Sequence, residues 1–141
     1  TIEGVEELVI NSHKNITSLV YQESNTKGDS IEINNKISNL LNASLRMRPD
    51  RIILGELRKE NSFTFVRAIN TGHDGSMSTI HANNPKNAIS AIKENVILNG
   101  DAHQGAIDIL EMQLKRNIDG VVQLNRIAGG GVRGYFESFK N

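Results

Sequence analysis

The residues whose types and spacing point to chemistry lie in two short runs. The first, Leu45 to Arg58, reads LRMRPDRIILGELR: an apolar stretch, Ile52 to Leu54, that delivers a carboxylate, Glu56, just past its end. In open α/β sheets, catalytic groups sit in the crevice outside the carboxyl ends of the strands, and Glu56 is placed for that. In ordinary phosphate-loop enzymes an aspartate in this region helps hold magnesium, while a glutamate next to it positions and polarises the attacking water. Here the preceding residue is Gly55. Taken alone, Glu56 also reads as a solvated carboxylate near a helix start, where the helix dipole favours acids.

The second run, Thr71 to Ala82, reads TGHDGSMSTIHA. Gly72 and Gly75 allow a tight turn that delivers one imidazole, His73, while a strand face delivers the other, His81. An imidazole can donate a hydrogen bond to a phosphate oxygen. A metal centre fits poorly, because the chain has no cysteine and no third ligand stands at suitable spacing. For an isolated histidine, a structural hydrogen bond is the more ordinary role.

The elements that must position these residues follow from apolar spacing. Thr1 to Ile10 is partly β-like and Ile16 to Tyr21 richer in strand formers, with Asn11 to Asn15 as a turn and Gln22 to Ser30 as a polar loop. From about Asn35, Ile37, Leu40, Leu41 and Leu45 recur at helical spacing, and Pro49 bars the helix from continuing. Arg51 to Gly55 reads as a parallel strand covered on both faces. A helix over Lys59 to Asn70 should end at Thr71-Gly72. Ser76 to Ala82 follows as a strand with Met77, Thr79 and His81 on one face.

Asn84-Pro85 signals a helix start, cap then first position, and Ile89, Ile92 and Val96 give that helix an apolar stripe ending at Asn99-Gly100. Asp101 is placed to cap a further helix whose Ala106, Ile107, Leu110 and Leu114 face one way. Gly120 to Ile127 and Val132 to Phe139, joined by Ala128 to Gly131, form a hairpin. Strands alternate with helices before a terminal hairpin, so the class is α/β with an antiparallel appendage.

Bulk properties narrow the partners. The 141 residues are of single-domain size, and sixteen basic against sixteen acidic side chains leave no net charge to draw in nucleic acid or an anionic membrane. Aromatic residues are few and no basic stripe stands out, so direct nucleic-acid binding is not expected. The absence of cysteine agrees with a reducing compartment. No apolar run approaches a membrane span, and the chain opens at Thr1 with no visible leader, which reads as a piece of a longer gene product.

RPDRIILGELR followed by TGHDGSMSTIHANNP resembles the paired Walker B and histidine boxes of the secretion superfamily of hexameric traffic ATPases, and TIEGVEEL resembles its acidic box. LRMRPD and STIHAN are most similar to the type IV secretion and conjugation branch. The likeness is close over residues 43 to 85, partial over 1 to 10 and topological in the last third. It implies a RecA-like P-loop NTPase core, here incomplete, with 1–85 carrying the acidic, Walker B and histidine boxes and 86–141 the helices and hairpin.

The resemblance also implies roles. Glu56 matches the glutamate that activates water, and His81 the histidine that senses the terminal phosphate; both are expected to be catalytic. His73, Arg46 and Arg58 match nucleotide or phosphate contacts, the two arginines also as subunit-interface sensors; as residues alone, they equally suit surface ion pairs. Glu3 and Glu7 match carboxylates near magnesium, directly or through water. ATP and magnesium are the implied cofactors, and a hexameric ring and inner-membrane components of a secretion apparatus the implied partners, at the cytoplasmic side of that membrane.

Two departures stand out. Gly4 occupies a position where the acidic box usually has an aspartate. No GxxxxGKS or GxxxxGKT segment occurs; Gly129 to Gly134, GGGVRG, lacks the lysine and leads into a strand. These 141 residues alone are therefore expected to bind ATP poorly and hydrolyse almost none. A catalytically degenerate assembly or regulatory module, or the ATPase of a type II secretion or type IV pilus machine, are the competing expectations.

Overall fold

The computed structural model describes residues 1–21, 30–102 and 104–140, with side chains for 1–21, 37–102 and 105–140. The chain divides into two compact units, Thr1–Thr79 and Ile80–Asn141.

The first unit is built on a four-stranded sheet of short strands: β1 (Ile2–Glu3), β2 (Leu19–Val20), β3 (Ile53–Leu54) and β4 (Met77–Ser78). Their order is β2-β1-β3-β4 and every neighbouring pair is parallel. Ile2 pairs with Leu19 on one side and Leu54 on the other, so β1 is an interior strand. Helices α1 (Ser30–Arg46) and α2 (Lys59–Ile69) pack on each other. The core of this unit is Ile2, Tyr21, Ile37, Leu41, Ile52, Leu54, Phe65 and Val66, all buried. Ile52 and Leu54 are buried and Ile53 between them partly so, so the strand is covered more fully on one face than on the other.

Two boundaries, the start of α1 and the end of β4, differ from those read in the sequence. The polar loop expected over Gln22 to Ser30 falls mostly on residues 22–29, outside the described residues, and Ser30 belongs to α1, which begins about five residues before the expected start. The helix does stop before Pro49, at Arg46, and Arg48 then takes the left-handed conformation with φ 54°. Strand β4 ends at Ser78, so His81 does not share a strand face with Met77.

In the second unit, α3 (Pro85–Leu98) starts as the sequence implies: the Asn84 side chain accepts the Asn87 N–H at 2.9 Å and Pro85 takes the first helical position. Ala88, Ile89, Ile92 and Val96 are buried along one stripe. Asp101 does not cap the next helix. Its N–H closes α3 on the Val96 carbonyl at 3.1 Å and its carboxylate accepts from Asn99 Nδ2 at 2.7 Å. A 3-10 turn, Gln104–Ala106, leads instead into α4 (Ile107–Asn117), which buries Leu110 and Leu114 while Ala106 stays exposed.

Helices α3 and α4 pack together and are bridged by Glu111, whose carboxylate accepts from Lys93 on α3 and, at 2.7 Å, from Lys115 one turn along α4. Hydrogen bonds from Lys115 and Lys93 hold the Glu111 carboxyl down at a pKa of about 2. The hairpin forms as expected from β5 (Gly120–Arg126) and β6 (Val132–Ser138), with glycines 129 to 131 all at positive φ in the turn. A Cβ at Gly120 would meet the Phe136 ring at 2.5 Å, so this glycine makes room for the aromatic side chain that pairs with Val122 two residues along. Among the described residues, no helix is long and apolar enough to cross a membrane.

Candidate active site

The parallel sheet sets two carboxylates at the carboxyl ends of adjacent strands: Glu3 closes β1, and Glu56 follows β3 by two residues. Gly55 lies against Glu3, since a Cβ there would stand 3.6 Å from Glu3 Cγ, and the Gly55 N–H donates to the Ile2 carbonyl at 2.8 Å. The acidic box and the Walker B-like turn thus run side by side, at a spacing that would also hold a Cβ in ordinary contact.

Glu3 is 5% exposed. Its Oε1 accepts the N–H groups of Glu7 and Leu8 at 3.2 and 3.1 Å, folding the acidic box back on itself. Its Oε2 is buried with no hydrogen-bond partner. A buried carboxylate oxygen without a donor is costly, and a cation or a cation-bound water would satisfy it. Glu7 is exposed. Gly4 faces Tyr21: a side chain there would press on the phenol ring at 3.2 Å, so the buried tyrosine fills the space next to the position where the acidic box usually has its aspartate.

Glu56 is partly buried, and its Oε2 accepts from Arg58 Nε at 2.6 Å. Around it the main chain is tied at every step. Thr79 Oγ1 donates to the Gly55 carbonyl at 2.6 Å, the Leu57 N–H donates to the Thr79 carbonyl at 2.8 Å, and Asn61 Nδ2 donates to the Glu56 carbonyl at 2.9 Å. Asn61 Oδ1 accepts the Arg58 N–H at 2.9 Å, and Ser62 Oγ donates to the Arg58 carbonyl at 2.7 Å. Thr79 lies within the second chemical run but its type gives it no role there, and the only trace of Asn61 is its place three residues into a helix start, where side chains reach back to the cap N–H.

His73 is half-buried, with Nδ1 3.0 Å from the Ala68 carbonyl. A carbonyl can only accept, so Nδ1 carries the proton and, in the neutral ring, Nε2 is left as an acceptor. The turn after it is fastened to β3: Ser76 Oγ donates to the His73 carbonyl at 2.7 Å and accepts the Ile52 N–H at 3.0 Å. Gly75, at φ +74°, packs so closely on Arg51 that a Cβ would stand 2.7 Å from its Nε. Arg46 is the exposed last residue of α1, where a cation suits the helix dipole. His81 is exposed and belongs to the second unit, three residues before the cap of α3.

The structure therefore brings Glu3, Glu7, Glu56 and Arg58 to one end of the first unit's sheet. Among the described residues no group of three or more His, Asp or Glu forms a metal cage.

Comparisons with known proteins identify the family and the fold. Residues 2–129 match the model of the type II/IV secretion system protein family. The chain is 36% identical over 132 residues to the type IV secretion system protein VirB11 of Bartonella quintana, covering 92% of this chain and 35% of that protein. It is 34% identical over 133 residues to PtlH, a type IV secretion system protein of Bordetella pertussis, covering 94% and 38%. The VirB11 ATPase from the Brucella suis type IV secretion system superposes with a TM-score of 0.78 at 28% identity, over 97% of this chain and 40% of that one. This likeness carries the RecA-like α/β class. The chain spans little more than a third of the length of these relatives. With the family model covering nearly its whole length, the chain belongs to the type II/IV secretion system protein family.

Proposed function

We propose that these residues form the water-activating and phosphate-sensing part of an ATP-hydrolysing motor that drives macromolecule transfer in a type IV secretion or conjugation system. The observation that supports it is Glu56, set at the carboxyl end of an interior parallel strand beside Glu3, on a main chain pinned on both sides.

In this reading the whole described chain is the carboxyl-terminal part of a RecA-like ATPase domain. Glu56 orients the attacking water and takes up its proton as it adds to the terminal phosphate. Magnesium, when bound, would supply charge neutralisation at the phosphate oxygens. Glu3 and Glu7 are the residues to hold it, and the unpartnered buried oxygen of Glu3 suits a cation or its water. His81 senses the terminal phosphate. His73 serves a phosphate through Nε2 only as imidazolium, because its neutral tautomer presents a lone pair there. Arg58 holds Glu56 at rest and, with Arg46, contacts phosphate or a neighbouring subunit. The parent protein works as a ring, six-membered by resemblance, docked at the cytoplasmic face of the inner membrane on components of the apparatus.

The test is E56Q in the full-length protein. Turnover of Mg-ATP falls by about 100-fold or more while nucleotide binding is kept. Wild-type turnover in that variant overturns the assignment. The 141 residues by themselves bind Mg-ATP too weakly for calorimetry at micromolar concentration, and a micromolar Kd defeats that part.

A further inference from the structure

The turn that carries Glu56 is held by more than a helix start requires. Asn61, 1% exposed in the first turn of α2, accepts the Arg58 N–H as a capping side chain does. Its amide then reaches beyond the cap to the carbonyl of Glu56 itself. From the end of β4, Thr79 grips the same turn twice, through its hydroxyl to the Gly55 carbonyl and through its own carbonyl to the Leu57 N–H.

These bonds fall on the two peptide planes that flank the Glu56 Cα. The plane before it is held at the Gly55 carbonyl by Thr79. The plane after it is held at the Glu56 carbonyl by Asn61 and at the Leu57 N–H by Thr79. Fixing both planes fixes φ and ψ of Glu56, and with them the direction in which its side chain leaves the main chain. We propose that Asn61 and Thr79 are positioning residues that aim the Glu56 carboxylate at its water. This rests on the reading of Glu56 as the water-activating group. A cap serving only α2 needs the bond to Arg58 and not the one to Glu56.

The experiment uses the full-length protein, with Mg-ATP turnover and the affinity of a fluorescent ATP analogue as readouts. T79V removes the hydroxyl at nearly constant volume, and T79S restores it. N61D keeps the acceptor for the Arg58 N–H but replaces the donor to Glu56 with a carboxylate oxygen. T79V and N61D lower kcat by about 10-fold or more, the scale of a displaced catalytic group, while KM and analogue affinity stay within about twofold. T79S stays within about twofold of wild type. Wild-type kcat in T79V and N61D overturns the proposal, as does a T79S loss equal to that of T79V, or a loss confined to KM. If N61D fails to fold, the T79V and T79S pair decides alone. E56Q run alongside separates the two ideas: wild-type turnover in E56Q overturns both, whereas an inactive E56Q with active T79V and N61D overturns only the positioning role.

Discussion

Arg58 Nε donates to Glu56 Oε2 at 2.6 Å, joining the residue at the N-cap of α2 to the carboxylate two positions before it. The two side chains are 47% and 27% exposed, so water screens the pair and its share of stability is small. R58A in the isolated chain therefore shifts urea unfolding by less than about 1 kcal/mol. A shift of 2 kcal/mol or more, about twice that ceiling, means that Arg58 supports the fold instead of serving Glu56.

His73 gives a spectroscopic prediction. Because Nδ1 donates to the Ala68 carbonyl near the end of α2, long-range proton–nitrogen correlation on the neutral ring shows Nδ1 protonated and Nε2 bare. H73A loses that bond and costs about 1 kcal/mol. A protonated Nε2 in the neutral ring contradicts the assignment.

Two glycines of the same turn separate backbone strain from crowding. Gly72 has φ +95° with nothing within 4 Å of a Cβ, whereas Gly75 combines φ +74° with Arg51 Nε at 2.7 Å. G72A is expected to cost about 1 kcal/mol and G75A clearly more, by thermal unfolding. Equal losses mean that Arg51 moves aside freely.

Acid should act through Glu111. Its pKa lies at about 2 against an unfolded value near 4.5, so the carboxylate stabilises the fold fully above that unfolded value, and the contribution is lost as pH falls from about 4.5 towards 2. The gap in melting temperature between wild type and E111Q is expected to be widest above pH 5 and to close towards pH 2. A gap that stays constant over that range rules out the Lys93–Glu111–Lys115 bridge as its source.

How much of this was legible in the sequence depends on whether the signal was local. The Asn84-Pro85 start of α3 and the glycine turn of the hairpin are decided by neighbouring residues, and both form as read. The start of α1 is masked by its polar composition, with Ile33, four residues before Ile37 at helical period, as its one apolar marker next to Ile31. Asp101 looked like a cap because it precedes an apolar stripe, but Asn99 and the end of α3 hold it first. That Glu3 and Glu56 end neighbouring strands could not be read from periodicity, since pairing of Ile2 with Leu54 is set by the sheet. The ties from Asn61 and Thr79 were equally invisible: each hydrogen-bonds main chain, which has no sequence identity.

The interior place of β1 also has a consequence for the order of events in folding. Ile2 can complete its ladder only after Leu54, about fifty residues later, has been made and brought back to it. Helices α1 and α2 and the hairpin depend on near neighbours and form early, whereas closing so long a loop is slow. Glu3 therefore meets the Glu56 turn late, and a chain arrested before that step holds its helices without bringing the two carboxylates together at the strand ends.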